Sequence, residues 1–229
     1  MELPGGTVTP GYFDTRRAAA AVPLPQSLRG KRCLDVGTYD GFWAFEMERR
    51  GAAEVVAVDV LDHRRWDWPG DTREDAVEAI GGPKQQSLQA FDVAREALGS
   101  SVERRDLSIY ELSPELVGEF DVVYCGSLTL HLRDPVGALA ALRTVCRELL
   151  VYEDAIDVTM TRVRRRTATA VFDGRGRPWW WKLNTAALVR VAEAAGFDVV
   201  AGPIRFEMPY GAGGPDGSDP HAAVLARPR

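Results

Sequence analysis

Apolar residues fall into short, nearly unbroken runs separated by stretches with helical spacing, and the two alternate from about residue 31 onward. Arg32-Cys33-Leu34-Asp35-Val36 is a compact apolar run with an acid near its end. The turn-rich Gly37-Thr38-Tyr39-Asp40-Gly41 follows, and then Phe42 to Arg50 has helical spacing that stops at Gly51. Glu54 to Asp59 is β-branched, largely continuous in its apolar character, and again ends in an acid, which suits a buried parallel strand. Strand, glycine loop, helix and strand make one βαβ unit.

Beyond it the pattern loosens. Trp66, Trp68 and Pro69 predict a loop, and Pro83 to Leu98 predicts an inserted helix. Val102–Leu107, Phe120–Cys125 and Glu148–Tyr152 read as third, fourth and fifth strands, with a helix over Pro135–Cys146. Arg162 to Arg177 is basic and turn-rich, and Thr185 to Ala195 is an amphipathic helix closed by Gly196. Phe197–Ala201 and Ala222–Ala226 complete the sheet as a hairpin-like end. Before all of these, Gly5-Gly6, Pro10-Gly11 and Pro23-Leu24-Pro25 break up the first thirty residues into an irregular lead-in with one short helix near Arg16 to Ala21. The prediction is an α/β, doubly wound, mostly parallel seven-stranded sheet in one domain over residues 1–229. Residues 1–30 are the lead-in, 31–155 the ligand-binding core, and 156–229 the substrate-side segment and sheet completion.

Composition narrows the function. The chain has 229 residues, 45% of them hydrophobic and 27% charged, which is enough apolar material for a sizeable core. Its formal charge of −5 repels phosphate backbones, so nucleic-acid binding would need a concentrated basic patch. Cys33, Cys125 and Cys146 are far apart and read as reduced core residues. His63, His131 and His221 are scattered without metal-ligand spacing, so no metal site is expected. No run approaches the ~20 apolar residues of a membrane span, and the start of the chain lacks a basic, then apolar leader; the expectation is a cytoplasmic enzyme with a small-molecule substrate.

In a doubly wound sheet the ligand sits beyond the carboxyl ends of the strands at the switch point. Gly37 and Gly41 allow a sharp turn with close backbone approach there, and Asp59 can accept hydrogen bonds from both hydroxyls of a ribose. The loop lacks the middle glycine of a dinucleotide fingerprint. Asp35 and Asp40 add negative charge at the mouth, which repels phosphates and suits a ligand bearing a sulfonium and an ammonium. S-adenosyl-L-methionine (SAM), with S-adenosyl-L-homocysteine (SAH) as product, has that charge pattern.

Leu34-Asp35-Val36-Gly37-Thr38-Tyr39-Asp40-Gly41-Phe42-Trp43 resembles motif I of class I SAM-dependent methyltransferases, in particular of the group of the bacterial tRNA wobble-uridine carboxymethyltransferase. The Phe120 to Pro135 segment and Trp179-Trp180-Trp181-Lys182-Leu183-Asn184 are similar to later stretches of that group, so the likeness covers roughly residues 31–200. The resemblance implies a Rossmann-like fold. It also implies Gly37, Tyr39 and Gly41 for the methionine moiety, Asp59 for the ribose, Asp106 and Leu107 for the adenine edge, and Gly126 and Ser127 for the wall beneath the sulfonium. Asp35, Thr38, Asp40 and Val60 complete the expected cofactor set. Leu130 stands where the tRNA enzyme has a tyrosine for the cofactor carboxylate, and that enzyme's long N-terminal region has no counterpart; plain SAM and a smaller acceptor follow.

His131, after the fourth strand, is the candidate base or orienting hydrogen-bond partner, and pinning its own loop is the alternative. Glu153 and Asp154 could bind an amine, assist as a base or stand as a solvated strand end. Trp180 could wall an acceptor pocket or pack in the core, and Trp43 could flank the cofactor side or pack on the sheet. Lys182, and Arg165 of the run Arg162, Arg164, Arg165 and Arg166, could meet an acceptor carboxylate or phosphate, or simply be solvated. The functions compatible with this pattern are methyl transfer to an O, N or C atom of a small molecule, (carboxy)methyl transfer to tRNA, and a SAM-binding regulator without turnover.

Overall fold

A computed structural model describes all 229 residues. Seven strands make one sheet: β1 (Arg32–Val36), β2 (Glu54–Asp59), β3 (Glu103–Asp106), β4 (Phe120–Gly126), β5 (Cys146–Ala155), β8 (Phe197–Pro209) and β9 (Ser218–Pro228), in the order β3-β2-β1-β4-β5-β9-β8. The first five are parallel, and β9 runs antiparallel to both of its neighbours. Two short strands, β6 (Ala170–Phe172) and β7 (Trp181–Leu183), form a separate hairpin.

Side-chain alternation along the strands feeds two cores, one on each face of the sheet. Leu34, Val36, Val56, Val58, Val123 and Leu150 pack with helices α4 (Pro114–Val117), α5 (Pro135–Val145) and α7 (Thr185–Ala194). Cys33, Val55, Ala57, Val122 and Val151 pack with α2 (Phe42–Arg49) and α3 (Glu74–Leu98) and with Val22, Leu24 and Leu28 of the lead-in. The lead-in carries a four-residue helix, α1 (Thr15–Ala18). It docks on the far end of the β8–β9 hairpin through the Phe13–Tyr210 bridge and Asp14 N–H donating to Pro209 O at 2.8 Å.

Three expectations change. The inserted helix α3 begins at Glu74 rather than Pro83, so the proline lies inside it. The basic stretch after β5 is not all turn: it holds a short helix, α6 (Val158–Val163), and strand β6. Finally, β8 runs well past Ala201 and β9 starts before Ala222, because their antiparallel pairing continues to Pro209 and Ser218. No helix is long and apolar enough to cross a membrane.

Candidate active site

The switch point lies between β1 and β4, where the strand order reverses, and the loop after β1 is built there from its own hydrogen bonds. Asp35 is buried and spends one oxygen on Thr38 Oγ1 (2.6 Å) and Ala44 N–H (3.1 Å), tying the loop to the first turn of α2. Burial pushes its carboxyl up to about 7, with the two hydrogen bonds working in the opposite direction. Asp35 and Thr38 are therefore the internal frame of the loop, not part of its exposed face. Asp40 accepts from Phe42 N–H at 3.2 Å, and burial raises its pKa as well. Tyr39 takes the left-handed conformation (φ 52°), turning its N–H onto Asp59 Oδ2 at 2.9 Å while its ring stays partly exposed.

Asp59 closes β2, and the neighbouring Val60 receives Trp66 Nε1–H on its carbonyl at 3.3 Å. Asp106, expected at the adenine edge, is already engaged: it accepts from Leu61 N–H (3.1 Å) and Arg65 (3.0 Å), and Leu107 N–H bonds Asp59 O at 3.0 Å. These contacts tie the inserted segment down over the ends of β2 and β3.

At the end of β4, Gly126 lies so close to Tyr124 Oη and Glu153 Oε1 that a Cβ there would overlap both. Ser127 follows with φ 49° and donates through Oγ to Glu153 Oε1 at 3.2 Å. Glu153 is not a solvated strand end. It is 1% exposed and accepts from Tyr124 Oη (2.9 Å) and Ser127, and His221 Nδ1 lies 2.9 Å from its other oxygen. Burial works against a charge on His221, but the Glu153 carboxylate overrides it and lifts the imidazolium pKa to about 10. Asp219 Oδ2, 3.5 Å from Nε2, is an ion contact rather than a hydrogen bond. Next to this pair, burial raises Asp154 to about 6; it accepts from Thr129 Oγ1 and from Leu130 N–H at 3.0 Å.

His131 sits on the turn after β4, its Nδ1 2.7 Å from Pro178 O, which fixes Nδ1 as the N–H and leaves the lone pair on Nε2. Burial lowers its pKa, so the ring is neutral near pH 7. Trp179 flanks it at 6.3 Å between centroids. Trp180 turns inward, 8% exposed, and donates Nε1–H to Asp67 O at 2.7 Å, because a buried indole needs an acceptor; it joins the insertion to the hairpin. Trp43 is likewise core: it is 9% exposed and stacks on Tyr124 at 4.5 Å. Lys182 is exposed on β7. Arg165 lines an open groove of about 700 Å³ with Arg166, Thr185, Arg190 and Glu193, beside α7 at the β8 edge of the sheet.

Lys84, Tyr124, Asp219 and His221 are the site-adjacent residues that sequence reasoning did not reach. Lys84 and His221 are buried polar groups, and only the three-dimensional contacts show what they face.

A sheet in this order with one antiparallel strand, a glycine loop after β1 and an acid at the end of β2 define a Rossmann-like class I methyltransferase fold. The methyltransferase domain family matches residues 12–201, and the chain belongs to that family. It is 30% identical over 122 residues to the ubiquinone biosynthesis O-methyltransferase of Acinetobacter baumannii, a match spanning 52% of this chain and 41% of that relative. The matched part is thus less than half the relative's length. In structure it resembles the 1,6-didemethyltoxoflavin-N1-methyltransferase of Burkholderia thailandensis (TM-score 0.58, 17% identity, 94% of this chain and 81% of the other). It also resembles the [4+2]-cyclase SpnF (TM-score 0.59, 13% identity, 97% and 88%). At such identities the likeness concerns the fold, and a cyclase among the neighbours shows that the fold does not dictate the reaction.

Proposed function

We propose that the protein transfers a methyl group from SAM to a small-molecule acceptor. The observation that carries this reading is the switch-point loop Gly37–Gly41 held against Asp59 by the Tyr39 N–H bond at 2.9 Å. The residues present fit the cofactor on two counts. Positions 37, 41 and 126 accept only glycine, since a Cβ at Gly37 would meet Leu128 at 3.0 Å and one at Gly41 would meet Phe45 at 2.5 Å, so bare backbone forms the surface that a cofactor would approach. Asp40 and Asp59 put carboxylates rather than phosphate-binding groups at the loop, which suits a cationic sulfonium nucleoside.

In this reading Gly37, Tyr39 and Gly41 hold the methionine portion, Asp59 and Val60 the ribose, Leu107 the adenine edge, and Gly126 and Ser127 the wall under the sulfonium. Asp35, Thr38 and Asp40 shape the loop, and the Asp106 carboxylate braces the insertion. SAM, when bound, supplies an electrophilic methyl. The chain's own residues align the acceptor, exclude water and hold its proton. His131 Nε2 is the acceptor-side base, and Trp179 beside it favours a flat, aromatic or conjugated acceptor with an ionisable O–H or N–H. The chemistry in the names of the relatives, O- and N-methylation of small ring compounds, agrees with this. The chain works as one methyltransferase unit, and its three buried, unpaired cysteines suit the reducing cytoplasm.

The finer resemblance, to tRNA wobble-uridine enzymes, would use the Arg165–Arg190 groove as its phosphate contact. It predicts steeply salt-dependent tRNA binding, whereas the small-molecule reading predicts none. A binding-only regulator would take up SAH and never release it from SAM in the presence of an acceptor.

Calorimetric titration with SAH tests the cofactor site. Asp59→Ala is expected to weaken binding about 10- to 100-fold, since the ribose loses a charged acceptor. NAD serves as the control, and a preference for NAD, or full affinity in the variant, ends this reading. His131→Ala is expected to lower kcat about 10²-fold with the SAH affinity unchanged. Full turnover in that variant would make His131 only a pin for Pro178.

A further inference from the structure

Lys84 is 2% exposed, yet its ammonium has no hydrogen-bond partner. One group faces it: Asp59 Oδ2, at 2.9 Å, within ion-pair distance but without hydrogen-bond alignment. Aromatic rings close the remaining space, with Tyr39 5.7 Å and Trp66 5.5 Å from Nζ. Burying an ammonium costs several kcal/mol that a lone, imperfectly aligned partner does not fully recover. The position therefore asks for a reason beyond stability.

The reason lies in what Lys84 does to Asp59. Tyr39 N–H and Lys84 Nζ converge on the same oxygen, Oδ2, and Oδ1 is left without a protein partner. Asp35 and Asp40 lie close by in the same loop, so without a counter-charge the three carboxyls would repel one another. The Tyr39 hydrogen bond and the Lys84 ion pair together hold the carboxylate with Oδ2 turned inward and Oδ1 free.

We propose that Lys84, carried by the inserted helix α3, is a positioning residue that presents Asp59 Oδ1 to a ribose hydroxyl and so sets the site's selectivity for a ribonucleoside diol. This rests on the assignment of Asp59 to the nucleoside. Lys84 itself stays caged, acting through Asp59 and through the Tyr39 ring that covers it. Helix α3 thereby ties nucleoside recognition to the insertion that covers β2 and β3, since Trp66 belongs to that segment.

The test is the affinity ratio between SAH and its 2′-deoxy and 3′-deoxy analogues, measured by calorimetry on the full chain. The wild type is expected to prefer SAH over at least one analogue by tenfold or more. Lys84→Met is expected to weaken SAH about tenfold and leave that analogue nearly unchanged, so that the ratio collapses. A merely structural role would weaken all three ligands equally, and a lysine competing for Asp59 would make the variant bind SAH more tightly; either result overturns the proposal. Lys84→Gln, which is one atom shorter and keeps a donor but loses the charge, reads the same ratio if the methionine variant does not fold. Should the wild type itself fail to bind SAH, the assignment of the site falls first. If it binds and Asp59→Ala abolishes binding while Lys84→Met changes nothing, only the role of Lys84 falls.

Discussion

His221→Ala is expected to destabilise the protein by about 3–5 kcal/mol at pH 7, because it leaves the Glu153 carboxylate buried without its counter-charge. The pair is fully enclosed, with both side chains 1% exposed and 2.9 Å apart, and Phe13 and Phe206 pack their rings at 5.9 and 5.8 Å from the imidazole. Its pH dependence has a defined sign. His221 has a folded pKa of about 10 against 6.5 for a free imidazole, so the folded state holds the proton more tightly. The stability it contributes is complete below about pH 6.5 and is lost progressively as pH rises through about 10. The gap between wild type and variant should therefore narrow from pH 7 to pH 10. His221→Gln, which keeps an N–H for Glu153, should fall between the two. Urea denaturation across that range measures it, and a gap that stays constant, or is smaller than about 1 kcal/mol at pH 7, would show that the pair carries no net weight. Because Glu153 also holds Ser127 and Tyr124, destabilisation should come with weaker SAH binding even where the variant remains folded.

The parts of this arrangement that sequence could reveal are those written in local periodicity. Strands β1 and β2 are apolar, partly β-branched runs bounded by turn residues, and their limits follow from that pattern alone. Helix α3 shows where it stops working. Its buried face is Val77, Lys84, Ser87, Phe91 and Ala94, a continuous stripe at helical spacing, but two members are polar, so an apolar template finds only the second half. Gly81, Gly82 and Pro83 then look like a boundary, although a helix whose buried face is anchored on both sides can carry a proline through. The inward packing of Trp43, one of its two alternatives, and of Glu153 has another cause. Each is near the ligand edge in sequence, but strand and helix phase point the side chain into the layer between sheet and helix. His221 answers Glu153 from a strand 68 residues away, and no local pattern encodes such a pair.

Gly41→Ala should be the most damaging single methyl group in the cofactor loop, costing about 2–5 kcal/mol from left-handed strain and overpacking together. Gly41 caps α2 at φ 87°, where a side chain is strained whatever space surrounds it. The space is also missing: the new Cβ would stand 2.5 Å from Phe45 Cε2 and 2.6 Å from Phe91 Cδ2, two rings packed 5.1 Å apart in the core. Neither can retreat easily, since Phe91 is fully buried on α3 beneath the Arg104 guanidinium, 4.5 Å from its centroid. The loop must give way instead, and the Gly41 N–H bond to Thr38 O at 2.8 Å passes the shift to Thr38, Tyr39 and hence Asp59. SAH affinity should then fall at least tenfold even at temperatures where the variant is folded. Thermal melting with and without SAH separates the two effects: a lower midpoint that saturating SAH raises as much as in the wild type would mean that the loop absorbs the methyl and that its geometry is less exacting than the packing implies.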